Sequence, residues 1–359
     1  MPSWNDLGGV LNTLRELDVG AIEDECLRPF TIGCVGALPR CTELAALLRG
    51  GPAQRFASGG ADPLFSLSPL AADLVEQLSR ADPIIVALEG RFPPQGSTRE
   101  ALARVFALPV PQLVVVIGST VAEPMASLPG YMRALALPDP AAPEAQELLS
   151  IALIERLPRD LTLAAARRLP GLRAAVADQL TQNTALANAS YALASSLPQQ
   201  IPLLSLPFAA ADILVLTKNQ ALMVYRIALA HGAPADFQAH LREILPVVGG
   251  AYIWRQMART LIGLIPGWGI VPKISVAYAG TYTTGVIAAR WYTDGDVLRG
   301  DQLRQLAQEA LKRARSIAAD MVAATRERGA AVGGRAGALL RRARRALPGG
   351  GKAEQQGDE

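Results

Sequence analysis

Residues Phe30 to Glu43 read FTIGCVGALPRCTE and hold the pattern with the most chemistry in it. Phe30–Val35 is an apolar, β-branched run that ends at Gly36, and an Ala/Leu-rich helical pattern follows from Thr42 to Leu48. Strand, glycine loop and helix in that order is the arrangement that cradles a nucleotide phosphate. Its chemistry needs G-x-x-x-x-G-K-[ST]: backbone N–H groups around the phosphates, a Lys on the β- and γ-oxygens and a hydroxyl on Mg²⁺. Counted from Gly36, the second Gly falls on Cys41, the Lys on Thr42 and the hydroxyl residue on Glu43. In a loop one residue shorter Thr42 becomes the hydroxyl, but Cys41 then stands for the Lys. Both registers lack the cation, so no cofactor is expected at Gly36, Cys41, Thr42 and Glu43. Arg40 and Arg49 are the nearest substitute cations, and Glu43 and Glu89 are expected to be solvated loop acids rather than a working pair.

Two other groups stand out. Asp212, Asn219 and Arg226 lie at i, i+7 and i+14 of an otherwise apolar helix, flanked by Lys218 and Gln220. At about 3.6 residues per turn they share one face. Such a stripe is a ligand or partner site or, the reading preferred here, a buried network whose members hydrogen-bond to one another. Near the C-terminus Arg335, Arg341, Arg342, Arg344 and Arg345 stand without an acid among them, beside Leu339, Leu340 and Leu347. That composition suits contact with anionic lipid.

The remaining titratable groups exclude more than they suggest. Cys26, Cys34 and Cys41 fit no metal-ligand spacing and are odd in number, which points to a reducing cytoplasm. With only His231 and His240 there is no His-rich metal site and no convincing nucleophile–base pair, so no catalytic residue and no metal is assigned. His231, Gly232 and Pro234 read as a helix end, an αL glycine and a stop; His240 falls in a polar helix and is expected to be exposed. A net charge of +3 over 359 residues is too small to imply nucleic acid. The N-terminus is acidic rather than basic-then-apolar, so no signal peptide is expected.

The elements that must position these groups divide in two. Residues 1–27 form an N-terminal amphipathic helix. Residues 28–140 read as α/β, with strands Phe30–Val35, Pro63–Leu67, Pro83–Leu88, Gln112–Ile117 and Tyr131–Leu137 and helices at Leu70–Arg80 and Thr98–Ala107. Apolar strands alternating with helices predict a parallel sheet covered on both faces. Residues 141–300 read as helical, with patterns at about 144–157, 160–168, 171–197, 207–230, 234–245, 249–264 and 273–292. Pro272 is read as a break before the last of these. Ala277, Thr281, Gly285 and Ala289 put a small residue at every fourth position of that helix, a packing signal. Ile274–Ala289 is uncharged but shorter than the roughly 20 residues of a membrane span. An amphipathic helix over 301–328, a Gly-rich hinge over 329–337, a short basic helix and a disordered tail, 348–359, complete the chain.

The order of elements resembles an Era-like GTPase domain with degenerate motifs. Gly36 and the loop after it match the first motif. In PLFSLSPLA, Leu67, Ser68, Pro69 and Leu70 occupy the place of the D-T-P-G switch. In LVVVIGSTV, Gly118, Ser119 and Val121 replace the guanine-reading Asn, Lys and Asp. The second half, from LPQQIPLLSLPFAAADILVLTKNQALMVYRIALAHG to ARTLIGLIPGWGIVPKISVAYAGTYTTGVIAARWYTDG, resembles the bacterial domain of unknown function 697, which often follows such a GTPase. The resemblances imply a truncated P-loop-GTPase-like parallel sheet, then a helical bundle and a C-terminal amphipathic helix. The function they imply is a non-enzymatic scaffold or regulatory protein, a pseudo-GTPase, with a protein partner or self-association and with an anionic membrane surface as a further partner. Expected location is the cytoplasm, peripheral to or inserted in the inner membrane. Two alternatives stand beside this reading: an atypical GTP-binding protein or GTPase, and an integral membrane protein with a helical hairpin at about 244–291.

Overall fold

The computed structural model describes residues 17–50, 61–71, 75–89, 97–118, 134–196, 210–237, 240, 270–295, 298 and 300–346, apart from the side chains of 210–214, 326 and 328–346. A short helix, α1 (Gly20–Leu27), leads into β1 (Ile32–Gly36) and α2 (Leu38–Arg49). Then follow β2 (Leu64–Leu67), α3 (Val75–Leu78), β3 (Ile84–Glu89), α4 (Ser97–Phe106), β4 (Gln112–Ile117) and β5 (Ala134–Leu137). All five strands are parallel, in the order β2-β1-β3-β4-β5. β1, β3 and β4 are buried on both sides, which is why they read as unbroken apolar runs.

Alternation along β3 shows how the sheet is covered. Ile85 and Ala87 face Leu44 and Leu48 of α2, while Ile84, Val86 and Leu88 face Leu78, Leu102 and Val105 of α3 and α4. The first of these faces is not a separate domain core. It runs on without a break into Leu163 and Leu172, then Tyr225 and Leu229 of the helical half.

That half consists of α5 (Ala145–Ile154), α6 (Thr162–Arg168), a 3₁₀ turn (Pro170–Leu172), α7 (Arg173–Ala194), α8 (Ala210–Ala230), α9 (Ile270–Asp294) and α10 (Gly300–Ala346). Arg173 is buried at the joint, where its guanidinium donates to the carbonyls of Ala166 and Arg167 at the end of α6; burial lowers it to about 10. α9 is the central helix, packed on α7, α8 and α10. Its small residues permit this: a Cβ on Gly285 would meet Thr181 Oγ1 of α7 at 2.3 Å.

Two expectations change, at Pro272 and over 329–337, while 274–289 is, as read, no membrane span among the described residues. Pro272 lies inside α9, in the first turn, where its missing N–H has no helical partner to lose. The uncharged run 274–289 is the core of a bundle helix, apolar on every side because it is surrounded by protein. No helix among the described residues is long and apolar enough to cross a membrane. The stretch 329–337 is helical, so α10 is one helix of 47 residues rather than two joined by a hinge. Glycine in a helix interior costs up to about 1 kcal/mol each relative to Ala, and the Ala, Leu and Arg around it favour the helix. The patterns at 241–264, the first arm of the hairpin alternative, Trp268 and the tail lie outside the described residues, as does most of the amphipathic helix over 1–27.

Candidate functional site at the sheet edge and in the bundle

A parallel sheet brings the ends of all its strands to one edge, so Gly36, Leu67, Glu89 and Gly118 are gathered there. α2 follows β1 onto one face and α4 follows β3 onto the other. The crevice between β1 and β3 is therefore the topological switch point, where open α/β sheets place their ligands.

Its geometry is not that of a phosphate cradle. α2 begins two residues after Gly36, with Ala37 as its N-cap and Pro39 in its first turn. The loop that a phosphate needs is thus taken up into helix. Gly36 is held at φ 152° against β3, where a Cβ would meet the Ala87 carbonyl oxygen at 2.2 Å. Of the amides that open α2, Pro39 has none, and those of Arg40 and Cys41 both donate to the Ala37 carbonyl at 3.0 Å. That leaves the Leu38 amide, where an anion-binding helix start offers several.

The side chains complete the change. Cys41 is fully buried and hydrogen-bonds to Cys34 of β1; that bond and burial push the Cys34 thiol well up. The Thr42 hydroxyl donates to the Leu38 carbonyl at 2.9 Å instead of facing a metal. Arg40 donates to both oxygens of Glu43 at 2.8 Å and to Oε1 of Glu89 at 2.6 Å. Its guanidinium holds the Glu89 carboxyl below the usual carboxylate range. Among the described side chains there, one guanidinium stands against two carboxylates, a net −1 that disfavours phosphate. Arg49, the other candidate cation, pairs with Asp62 at 2.6 Å. Glu43 and Glu89 are half exposed, as expected, but close on Arg40; the only sequence signal for that clasp is an Arg–x–x–Glu spacing at a helix start.

Among its described side chains the polar stripe of α8 is not one network. Asn219 and Arg226 share a face, but seven residues of helix separate them by about 10 Å, too far to touch. Arg226 reaches Glu25 of α1 instead, at 2.7 Å. Beside it an open groove of about 880 Å³ runs along α1, lined by Arg28, Arg159 and Asp160 among others. Asn219 donates to Asn188 Oδ1 of α7 at 2.7 Å, and Asn188 donates to Thr281 Oγ1 of α9 at 2.8 Å. Gln220 donates to the same Thr281 oxygen at 3.0 Å, and that hydroxyl donates to the Ala277 carbonyl at 2.8 Å. The hydroxyl hydrogen and both lone pairs of Thr281 are thereby used. Lys218 is exposed, and the side chain of Asp212 lies outside the described residues. Asn188 was the missed member; an Asn inside the Ala-rich α7 is itself the signal, since Asn is poor in a helix interior.

Both histidines are buried at the sheet end of the bundle, His240 contrary to expectation. Gly232 is left-handed, φ 90°, and ends α8 as read. His231 Nδ1 donates to the Ile227 carbonyl at 2.8 Å, and burial lowers its pKa to about 4. His240 Nε2 donates to the Pro234 carbonyl at 2.7 Å, with the Tyr292 hydroxyl 3.4 Å from Nδ1. Phe237 and His240 both pack against the Tyr225 ring of α8. Among the described residues no group of His, Cys, Asp and Glu is arranged to hold a metal. Comparison of the chain with protein families, curated proteins and solved structures found no match.

Proposed function

We propose that the α/β layer is a GTPase-derived scaffold that has given up nucleotide chemistry and works, with the helical bundle, as a non-enzymatic interaction or regulatory protein. The observation that carries this is the switch-point crevice. Helix begins where the phosphate loop would run, and Arg40, the nearest cation among the described residues, is clasped by two carboxylates. A phosphate entering there would have to break the Arg40 clasp, meet two carboxylates and find few free amides. The core shared by sheet and bundle supports the scaffold role, because a ligand-driven rearrangement of the sheet edge would have to deform packed interior. Its partner is another protein or a second copy of the chain.

Nucleotide content of the purified protein tests the reading. Acid-released supernatant analysed by ion-exchange chromatography should contain no stoichiometric GDP, GTP or ATP. One nucleotide per chain contradicts the proposal and favours an atypical GTPase.

A further inference from the structure

The bundle has a sheet end and a far end. Tyr225 and Leu229 of α8 join the core of the sheet, and Tyr292 of α9 lies against the histidines beside them. The start of α9 marks the other end, where Lys273 donates to Ser195 at the close of α7, at 3.0 Å. α10 runs antiparallel to α9. Its Leu303 packs on Ile287, while Ala314 and Ala318 pack in one cluster with Ile274 and Tyr278, flanked by Met321 and Val322. α9 is 25 residues long and α10 is 47, about 37 Å against about 70 Å. Beyond Val322 the helix continues to Ala346, about 36 Å past the far end.

Because α10 is unbroken, the azimuth of that second half is fixed by the first. Leu303, Met321 and Leu339 recur at intervals of 18 residues, about five whole turns. Val332, Ala336, Leu340 and Ala343 fall within the same arc that α10 packs on α9 in its first half. Arg335 and Arg342 border this arc on one side and Arg344 on the other, with Arg341 and Arg345 opposite. No acid occurs from Arg328 to Leu347.

We propose that the second half of α10 is a lipid anchor that lays the far end of the bundle on an anionic bilayer surface. An apolar arc bordered by Arg on both sides matches the interface, where acyl chains take the arc and phosphate headgroups take the guanidinium groups. A second copy of this segment fits less well, because either orientation of a helix pair sets Arg against Arg with no acid to separate them. Nucleic acid would accept the charge and leave the Leu arc uncovered. The inference is independent of the nucleotide reading.

The test is co-sedimentation of the full chain with vesicles of phosphatidylglycerol and phosphatidylcholine, against phosphatidylcholine alone. Wild type should bind the mixed vesicles, only weakly the neutral ones, and less as salt rises. The variant R341Q/R342Q/R344Q/R345Q keeps good helix formers and should lose more than about a hundredfold in partition coefficient. L339S/L340S should lose about tenfold or more while keeping its salt dependence. Unchanged far-UV circular dichroism and thermal midpoint show that both variants are folded. Equal binding by the Gln variant, binding indifferent to headgroup charge, or no binding of wild type at low salt overturns the proposal. So does a dimer that is lost in L339S/L340S without any vesicle binding by wild type, an outcome that makes a second copy the occupant.

Discussion

Arg40, Glu43 and Glu89 at the edge of the sheet, and Asn188, Asn219, Gln220 and Thr281 in the middle of the bundle, are both closed sets of hydrogen-bonded side chains. They answer to different forces. At the sheet edge the groups are charged and half open to water, with Glu89 50% exposed, so each would be well solvated without the others. In the bundle the groups are neutral, Asn188 and Thr281 are wholly buried, and no water replaces a lost partner. The edge clasp is therefore expected to contribute little to folding, and under the proposed function it bears instead on what the crevice would accept. The bundle network does the reverse: it fixes the register of α7, α8 and α9 and offers a ligand nothing.

Substituting into the bundle network gives the largest expected effect. Asn188→Leu strands the Asn219 amide and one Thr281 lone pair in the interior, and should lower the unfolding free energy by about 2–4 kcal/mol. Urea denaturation measures it. A loss near zero would mean that water reaches the network.

Next in size is a pH effect at the sheet end of the bundle. His231 is neutral when folded, with its pKa lowered from 6.5 to about 4 by burial, helped by the nearby Arg173 charge and opposed by the hydrogen bond to the Ile227 carbonyl and by Asp294. The unfolded chain takes up the proton first. The stabilisation is thus complete above pH 6.5 and drains away as pH falls toward 4, by up to about 3 kcal/mol. Urea midpoints across that range should fall in wild type, and His231→Gln should remove most of the slope. An identical slope in the variant would assign the effect to the carboxylates.

These two sites also show what a sequence discloses. The period of the α8 stripe was legible, and so was its shared face. Its partners were not, because a helical period says nothing of which neighbouring helix supplies them, and Glu25 lies 201 residues from Arg226. β1, β3 and β4 were legible nearly to the residue, since a strand buried on both faces leaves no other composition. The start of α2 was read four residues late. Pro39 looked like loop, though proline belongs in a first helical turn. His240 was misplaced because its neighbours in sequence are polar, whereas Tyr225 and Tyr292 lie against its ring in space.

The smallest expected effect lies at the sheet edge. Arg40→Ala and Glu89→Gln should leave the urea midpoint unchanged within error, in contrast to Asn188→Leu. A loss as large as that of Asn188→Leu would make the clasp a folding element and erase the distinction drawn between the two sets.

The distinction rests in the end on whether the crevice takes nucleotide, and calorimetric titration of the full chain with GTP and ATP in the presence of Mg²⁺ asks that most directly. The closed clasp and the early start of α2 predict no saturable heat up to on the order of 1 mM nucleotide. A dissociation constant in the micromolar range, with Mg²⁺ or without it, would contradict the account.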